Sequence, residues 1–188
     1  MNIKELIKIF KSMDKSFYTK RDLEIITKLS EKRLKLLIDE LLNLGIIEKV
    51  AKDVYVVFYS YYQIEEIAST LYLPNYLSFE SVLARYDVLN QIPYIITFAT
   101  IKQSKNIVVA KRQIEFIQIP KDLFWGYVVS GNIYVAEPEK AFLDLVYIAS
   151  IKNYQIDMDE INLKRLSKKI LLEYSKRFPI KIQKILAA

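Results

Sequence analysis

The chain has 188 residues, 52% of them hydrophobic, with a net charge of +6, three glycines and neither cysteine nor histidine, enough apolar material for one medium domain or two small ones. Lacking both residues, it has no disulfide, no zinc site built on either, no Ser-His or Cys-His nucleophile pair and no histidine acid–base step. The glycines, at 45, 126 and 131, leave no phosphate-binding P-loop and no dinucleotide fingerprint, so neither enzyme activity nor a cofactor is expected.

No stretch reaches the roughly 18 uninterrupted apolar residues of a membrane span, and MNIKELIKIFKSMDK lacks the uncharged core of a signal peptide. A soluble, cytoplasmic protein with no membrane partner is the expectation. Residues 1–58 hold 12 basic and 9 acidic side chains, 59–155 hold 8 and 9, and 156–188 hold 8 and 4. Both ends are basic, which favours a polyanionic partner.

Ile3, Leu6, Ile7, Ile9 and Phe10 predict a short amphipathic helix ending near Ser12, followed by a brief extended segment at Phe17 and Tyr18. Thr19 and Asp22 read as a capping box opening a helix that buries Leu23, Ile25 and Ile26. In LSEKRLKLLIDELLNLGIIEKV (29–50), the Ser30 hydroxyl is expected to cap the next helix and Gly45 to end it in the left-handed conformation. At about 100° per residue, Leu34, Leu37, Ile38, Leu41 and Leu44 share one face. Lys32, Leu36, Asp39 and Asn43 lie opposite, with Arg33 and Lys35 on the flanks. IIEKVAKDVYVVF (46–58) then reads as two strands joined at Ala51–Asp53. This order is that of a winged helix-turn-helix over residues 1–60, with the quoted helix as the recognition helix.

Residues 61–75 are a tyrosine-rich, weakly helical connector broken at Pro74 and Asn75, and a second domain is expected over 76–188. There Ser78 is expected to cap the helix SFESVLARYDVL, with Phe79, Val82, Leu83, Tyr86 and Leu89 inward. Pro93 opens the strand PYIITFAT, and NIVVA (106–110) and QIEFIQI (113–119) follow as strands. Ser130, Gly131 and Asn132 mark a hairpin. Pro138 starts a helix in which Lys140 and Asp144, four apart, can pair. From Asp157 one helix is expected to about Phe178, and a short one after Pro179. Its stripe is Leu163, Leu166, Ile170, Tyr174 and Phe178, with Lys164, Arg165, Lys168, Lys169, Lys176 and Arg177 on the remaining surface.

YLSFESVLARYDVLNQIPYIITFAT (76–100), LFWGYVV (123–129) and IYVAEPEKAFLDLVYI (133–148) resemble, in the same order, the AbiEi-type antitoxins, transcriptional regulators of type IV toxin–antitoxin (abortive infection) systems. The resemblance implies an α+β fold: an N-terminal winged helix-turn-helix followed by a mixed α/β antitoxin module with a C-terminal helical extension. It implies a repressor that binds double-stranded DNA at inverted repeats in its own promoter. It also implies a counter to a nucleotidyltransferase-like toxin that needs no stable complex. Carried onto this sequence, DNA contacts fall at Thr19, Lys20, Ser30, Lys32 and Arg33, with Lys49 and Lys52 in the wing. Lys20, Lys28, Lys32 and Lys52 would neutralise phosphate, and Ser30, Lys32 and Arg33 would read bases. In the second module the exposed-looking polar positions are Ser78, Arg85, Tyr86, Thr97, Thr100, Lys102, Lys105, Lys111 and Lys140, several of which also have a structural explanation. Where the family often has a glycine in the helix-to-strand turn, this chain has Asp87.

An alternative is a stand-alone winged-helix regulator whose C-terminal domain senses a ligand or dimerises, its 14 tyrosines lining a pocket or an interface. A nuclease using Asp87, Glu115 and Asp122 around magnesium is disfavoured, because QIEFIQI has no lysine two residues after Glu115, and no metal is expected.

Overall fold

The computed structural model describes residues 2–13 and 15–187, with side chains to 184. The chain is mixed α+β and divides into two compact units, Met1–Ile67 with Val108–Lys111, and Ala68–Ile107 with Arg112–Ala188.

In the first unit, α1 (Ile3–Met13) turns Leu6 and Phe10 inward, one helical turn apart. The two-residue strand β1 (Tyr18–Thr19) leads into α2 (Lys20–Thr27). The Asp22 amide donates to the Thr19 hydroxyl at 3.1 Å and the Thr19 amide to the Asp22 carboxylate at 2.7 Å, so each residue satisfies the other's free donor. Burial pushes the Asp22 carboxyl up, but hydrogen bonds from Lys15 and Thr19 outweigh it and leave the group below the usual carboxylate range. A lowered folded-state pKa stabilises the fold above the unfolded value and is lost as pH falls through the folded one. Thr19→Ala should therefore cost about 1 kcal/mol near neutrality and less in acid, read from urea midpoints by far-UV circular dichroism. Ile25, expected on the buried face, is 62% exposed: it lies about 200° around the helix from Leu23, and Leu23 and Thr27 are buried instead.

Helix α3 (Glu31–Asn43) buries Leu34, Ile38 and Leu41. Ser30 holds the N-cap position, yet its hydroxyl makes no cap bond; the first-turn residues are exposed, so water can satisfy their amides. Leu44, expected on the inner stripe, is 59% exposed because the helix has already ended. Gly45, at φ +66, donates to the Leu42 carbonyl at 3.0 Å and Ile46 to that of Leu41 at 2.9 Å, the paired bonds of a Schellman stop. Strands β2 (Ile47–Ala51) and β3 (Val54–Val57) form an antiparallel hairpin across Lys52 and Asp53. The sheet order is β1-β3-β2. The core joins Leu6, Phe10, Leu23, Leu34, Leu41 and Tyr55 from all three helices and the hairpin.

Helix α4 (Ile64–Leu71) spans the division between the units. Next come β4 (Asn75–Leu77), α5 (Phe79–Arg85), β5 (Ile96–Thr100), β6 (Lys105–Val109), β7 (Arg112–Gln118), β8 (Tyr127–Ser130), β9 (Ile133–Ala136) and α6 (Pro138–Lys152). The six strands run in the order β6-β7-β5-β4-β9-β8. β4 was not expected; it pairs antiparallel with β5 and parallel with β9, and three residues are too few to show alternation. Helix α5 is shorter than expected. Asp87, at φ 55, takes the left-handed turn after it, its amide donating to Ala84 at 3.2 Å and that of Val88 to Leu83 at 2.8 Å. Tyr86 and Leu89 consequently lie beyond the helix, and Tyr86 is exposed. Helix α6 is buried along most of its length, from Glu139 to Ala149 with only Tyr147 half-exposed, and opens on Pro138 as expected.

The tail departs most from expectation. In place of one long helix there are two single 3₁₀ turns (Met158–Glu160 and Leu163–Arg165), then α7 (Lys168–Ser175) and α8 (Ile180–Ala187). Long-range pairing wins over helical periodicity here: Asn90 donates to the Glu160 carbonyl at 3.1 Å, Asn162 to that of Val88 at 2.7 Å, and Leu89 bridges Ile161. Leu163 and Ile170 are thereby left at least 36% exposed, while Leu166 and Phe178 remain buried.

Candidate nucleic-acid interface

With Leu34, Ile38 and Leu41 holding α3 from one side, Lys32, Arg33, Lys35 and Leu36 are exposed on the other. No ion pair to Lys32 or Arg33 occurs among the described residues. Ser30, in front of them, is exposed with its hydroxyl uncommitted to the cap. Lys28 is exposed at the left-handed end of α2, φ 54. On the hairpin, Lys49 is exposed opposite Tyr55, and Lys52 is exposed in the turn.

Two expected contacts are already engaged. The Lys20 ammonium donates to the Glu31 carboxylate at 2.8 Å, and this hydrogen bond raises the lysine and lowers the carboxyl. This pair ties the start of α2 to the start of α3 and removes Lys20 as a free cation. The Thr19 hydroxyl belongs to the capping box and also donates to Asp22 at 2.7 Å. The first unit thus offers Lys28, Ser30, Lys32, Arg33, Lys49 and Lys52 to a ligand, but not the side chains of Thr19 and Lys20.

In the second unit Arg85, Tyr86, Lys102 and Lys105 are exposed, as is Lys111, which belongs to the first unit. Ser78, Thr97, Thr100 and Lys140 are buried, which corrects their place among surface positions. Thr97 donates to the Ser78 carbonyl at 2.9 Å and Thr100 to that of Pro74 at 2.8 Å, so both hydroxyls are spent on the backbone beside β4. Ser78 does not cap α5 with its hydroxyl, which donates to Asp144 at 2.9 Å.

Lys140 and Asp144, one turn apart on α6, form an ion pair with both side chains fully buried. Tyr76 donates to the second Asp144 oxygen at 2.9 Å and accepts from the Lys140 ammonium at 2.9 Å. The ammonium also lies 5.2–5.4 Å from the ring centres of Trp125, Phe178 and Tyr76, and the Arg177 guanidinium is 4.0 Å from that of Trp125. Burial pushes the Asp144 carboxyl up and the Lys140 ammonium down, while their mutual attraction opposes both shifts; burial, then Asp144, drives the Tyr76 hydroxyl well above its usual range. Tyr76, Ser78, Lys140 and Asp144 are all 0% exposed, so this network holds β4 to α6 and presents nothing to a substrate in solution. The spacing of Lys140 and Asp144 was legible in the sequence. Tyr76 and Trp125, which complete their surroundings, were not.

Asp87, Glu115 and Asp122 are not gathered: no group of acids that could hold a metal ion occurs among the described residues. Nor is any helix among them long and apolar enough to cross a membrane. No model of a known protein family matches this chain, and no curated protein matches it.

Proposed function

We propose that the first unit is a winged helix-turn-helix that binds double-stranded DNA, with α3 as the recognition helix and the β2–β3 hairpin as the wing. The observation that carries this reading is the exposure of Lys32 and Arg33 in the first turn of a helix anchored by Leu34, Ile38 and Leu41 on its other side. In such a motif the start of the second helix meets base edges in the major groove, and its free amides favour phosphate. Lys28 and Lys52 supply phosphate contacts; Ser30, Lys32 and Arg33 supply readout. The resemblance of residues 76–148 to AbiEi-type antitoxins extends the proposal: the chain represses its own operon at inverted repeats and counters a nucleotidyltransferase-like toxin.

The test is fluorescence anisotropy on the duplex upstream of the protein's own gene and on a scrambled duplex, over a range of salt. Arg33→Ala should lose about 1–3 kcal/mol of discrimination between the two. Lys52→Ala should weaken both alike and lower the salt slope by about 1. If neither variant changes binding, or the unmodified protein binds no duplex, the reading is wrong. Growth of cells co-expressing the neighbouring gene tests the antitoxin half: that gene should be toxic alone and harmless with this one.

A further inference from the structure

A groove of about 810 Å³ opens in the second unit beside α6 and α7, within the size range of small-molecule sites. Phe142 and Val146 of α6, Leu166, Leu171 of α7 and Leu163 supply apolar walls, and Leu163 is left 45% exposed along one of them. Two lysines, Lys168 and Lys181, also line it, and none of the 14 lining side chains is acidic. The Lys181 ammonium donates to the Ser150 carbonyl at 3.2 Å, which anchors it at the groove wall, and Lys168 has no ion pair among the described residues. An apolar channel carrying two positive charges and no negative one is complementary to a molecule with a long apolar body and one anionic end.

We infer that this groove binds a free medium-chain carboxylate, its hydrocarbon chain along Val146, Leu163 and Leu171 and its carboxylate between Lys168 and Lys181. The apolar length supplies affinity through removal of hydrocarbon from water. The lysines supply selectivity, since charge-assisted hydrogen bonds to a carboxylate have no counterpart in a neutral molecule of the same length. This site is independent of the DNA-binding reading.

The experiment is isothermal titration calorimetry of the full chain with decanoate, kept below its micelle-forming concentration, and with decanol. Saturable binding of one decanoate per chain is expected, at least about tenfold tighter than decanol, a difference of roughly 1.4 kcal/mol. Lys168→Gln with Lys181→Gln should abolish that preference, and Leu163→Asp should abolish binding of both. All three positions are exposed, and Trp125 fluorescence verifies that each variant is folded. Vesicles of phosphatidylglycerol should not compete with decanoate. Absent or unsaturable binding, equal affinity for decanoate and decanol, a preference that survives the double substitution, or binding to vesicles without binding to free decanoate would each overturn the inference.

Discussion

Lys140→Met should lower the stability of the second unit by about 3–5 kcal/mol, because it removes one partner of a buried pair and leaves the other without compensation. Asp144 would then be a carboxyl enclosed by α6 and β4, fully buried and bonded only to the Tyr76 and Ser78 hydroxyls. Burial already pushes that carboxyl up in the intact protein, and without the ammonium only the hydrogen bonds from Tyr76 and Ser78 oppose the upward push. A group with a raised folded pKa stabilises the fold below its unfolded pKa, about 4 for aspartate, and that contribution is lost as pH rises through the folded value. The cost of Lys140→Met should therefore be greatest near neutrality and shrink in mild acid, where Asp144 can be buried protonated. Adding Asp144→Asn removes the second charge but keeps an acceptor for Tyr76 and Ser78, so the double variant should recover at least half of the loss. Trp125 is the one tryptophan and sits beside Lys140, so urea unfolding followed by its fluorescence reports this unit. A single-variant loss under about 1 kcal/mol, within the range of ordinary substitutions, would show that the pair does not hold the unit together.

Gly126→Ala should cost about 2–5 kcal/mol through two separable effects. Gly126 has φ +73, a left-handed conformation that costs a residue with a Cβ roughly 1–2 kcal/mol. An added Cβ would also stand 2.9 Å from Lys140 Cγ and 3.2 Å from its Cβ and Cδ, and overpacking of that kind costs about 1–3 kcal/mol. The lysine stem has no easy way to yield, because its ammonium is bound to Asp144 and Tyr76. Gly131→Ala is the internal control: φ is +61 there, but nothing lies within 4 Å of the added atom, so only the backbone effect of about 1–2 kcal/mol remains. The two variants, compared by Trp125 fluorescence in urea, should differ by at least about 1 kcal/mol. Equal losses would mean that the approach of Gly126 to Lys140 is looser than the geometry indicates.

Several local signals hold where the interacting groups lie within one turn of each other, whereas the Ser30 and Ser78 hydroxyls do not cap their helices. The Thr19–Asp22 capping box, the Gly45 stop, the Gly131 hairpin and the Pro138 helix start each depend on a few adjacent residues and the conformations open to them, and each is present in the structure. The helical period also separated Leu34, Ile38 and Leu41 from Lys32 and Arg33, since an anchored helix has only one way to divide its residues between core and solvent.

Tertiary partners decided the rest. Strand β4 exists because β5 and β9 flank it, and the long helix expected after Asp157 gives way to pairing with Val88, Leu89 and Asn90. Lys140 looked like a surface lysine paired along its own helix; Tyr76, 64 residues away in sequence, and the ring of Trp125 make its burial tolerable. The amino-acid sequence by itself determined the Thr19–Asp22 cap, the Gly45 and Gly131 turns and the division of α3 between core and solvent, because their free energies are settled within a few residues. Only the folded chain decided which charges are enclosed and which reach solvent, because the free energy of burying a charge is set by groups brought together from distant parts of the chain.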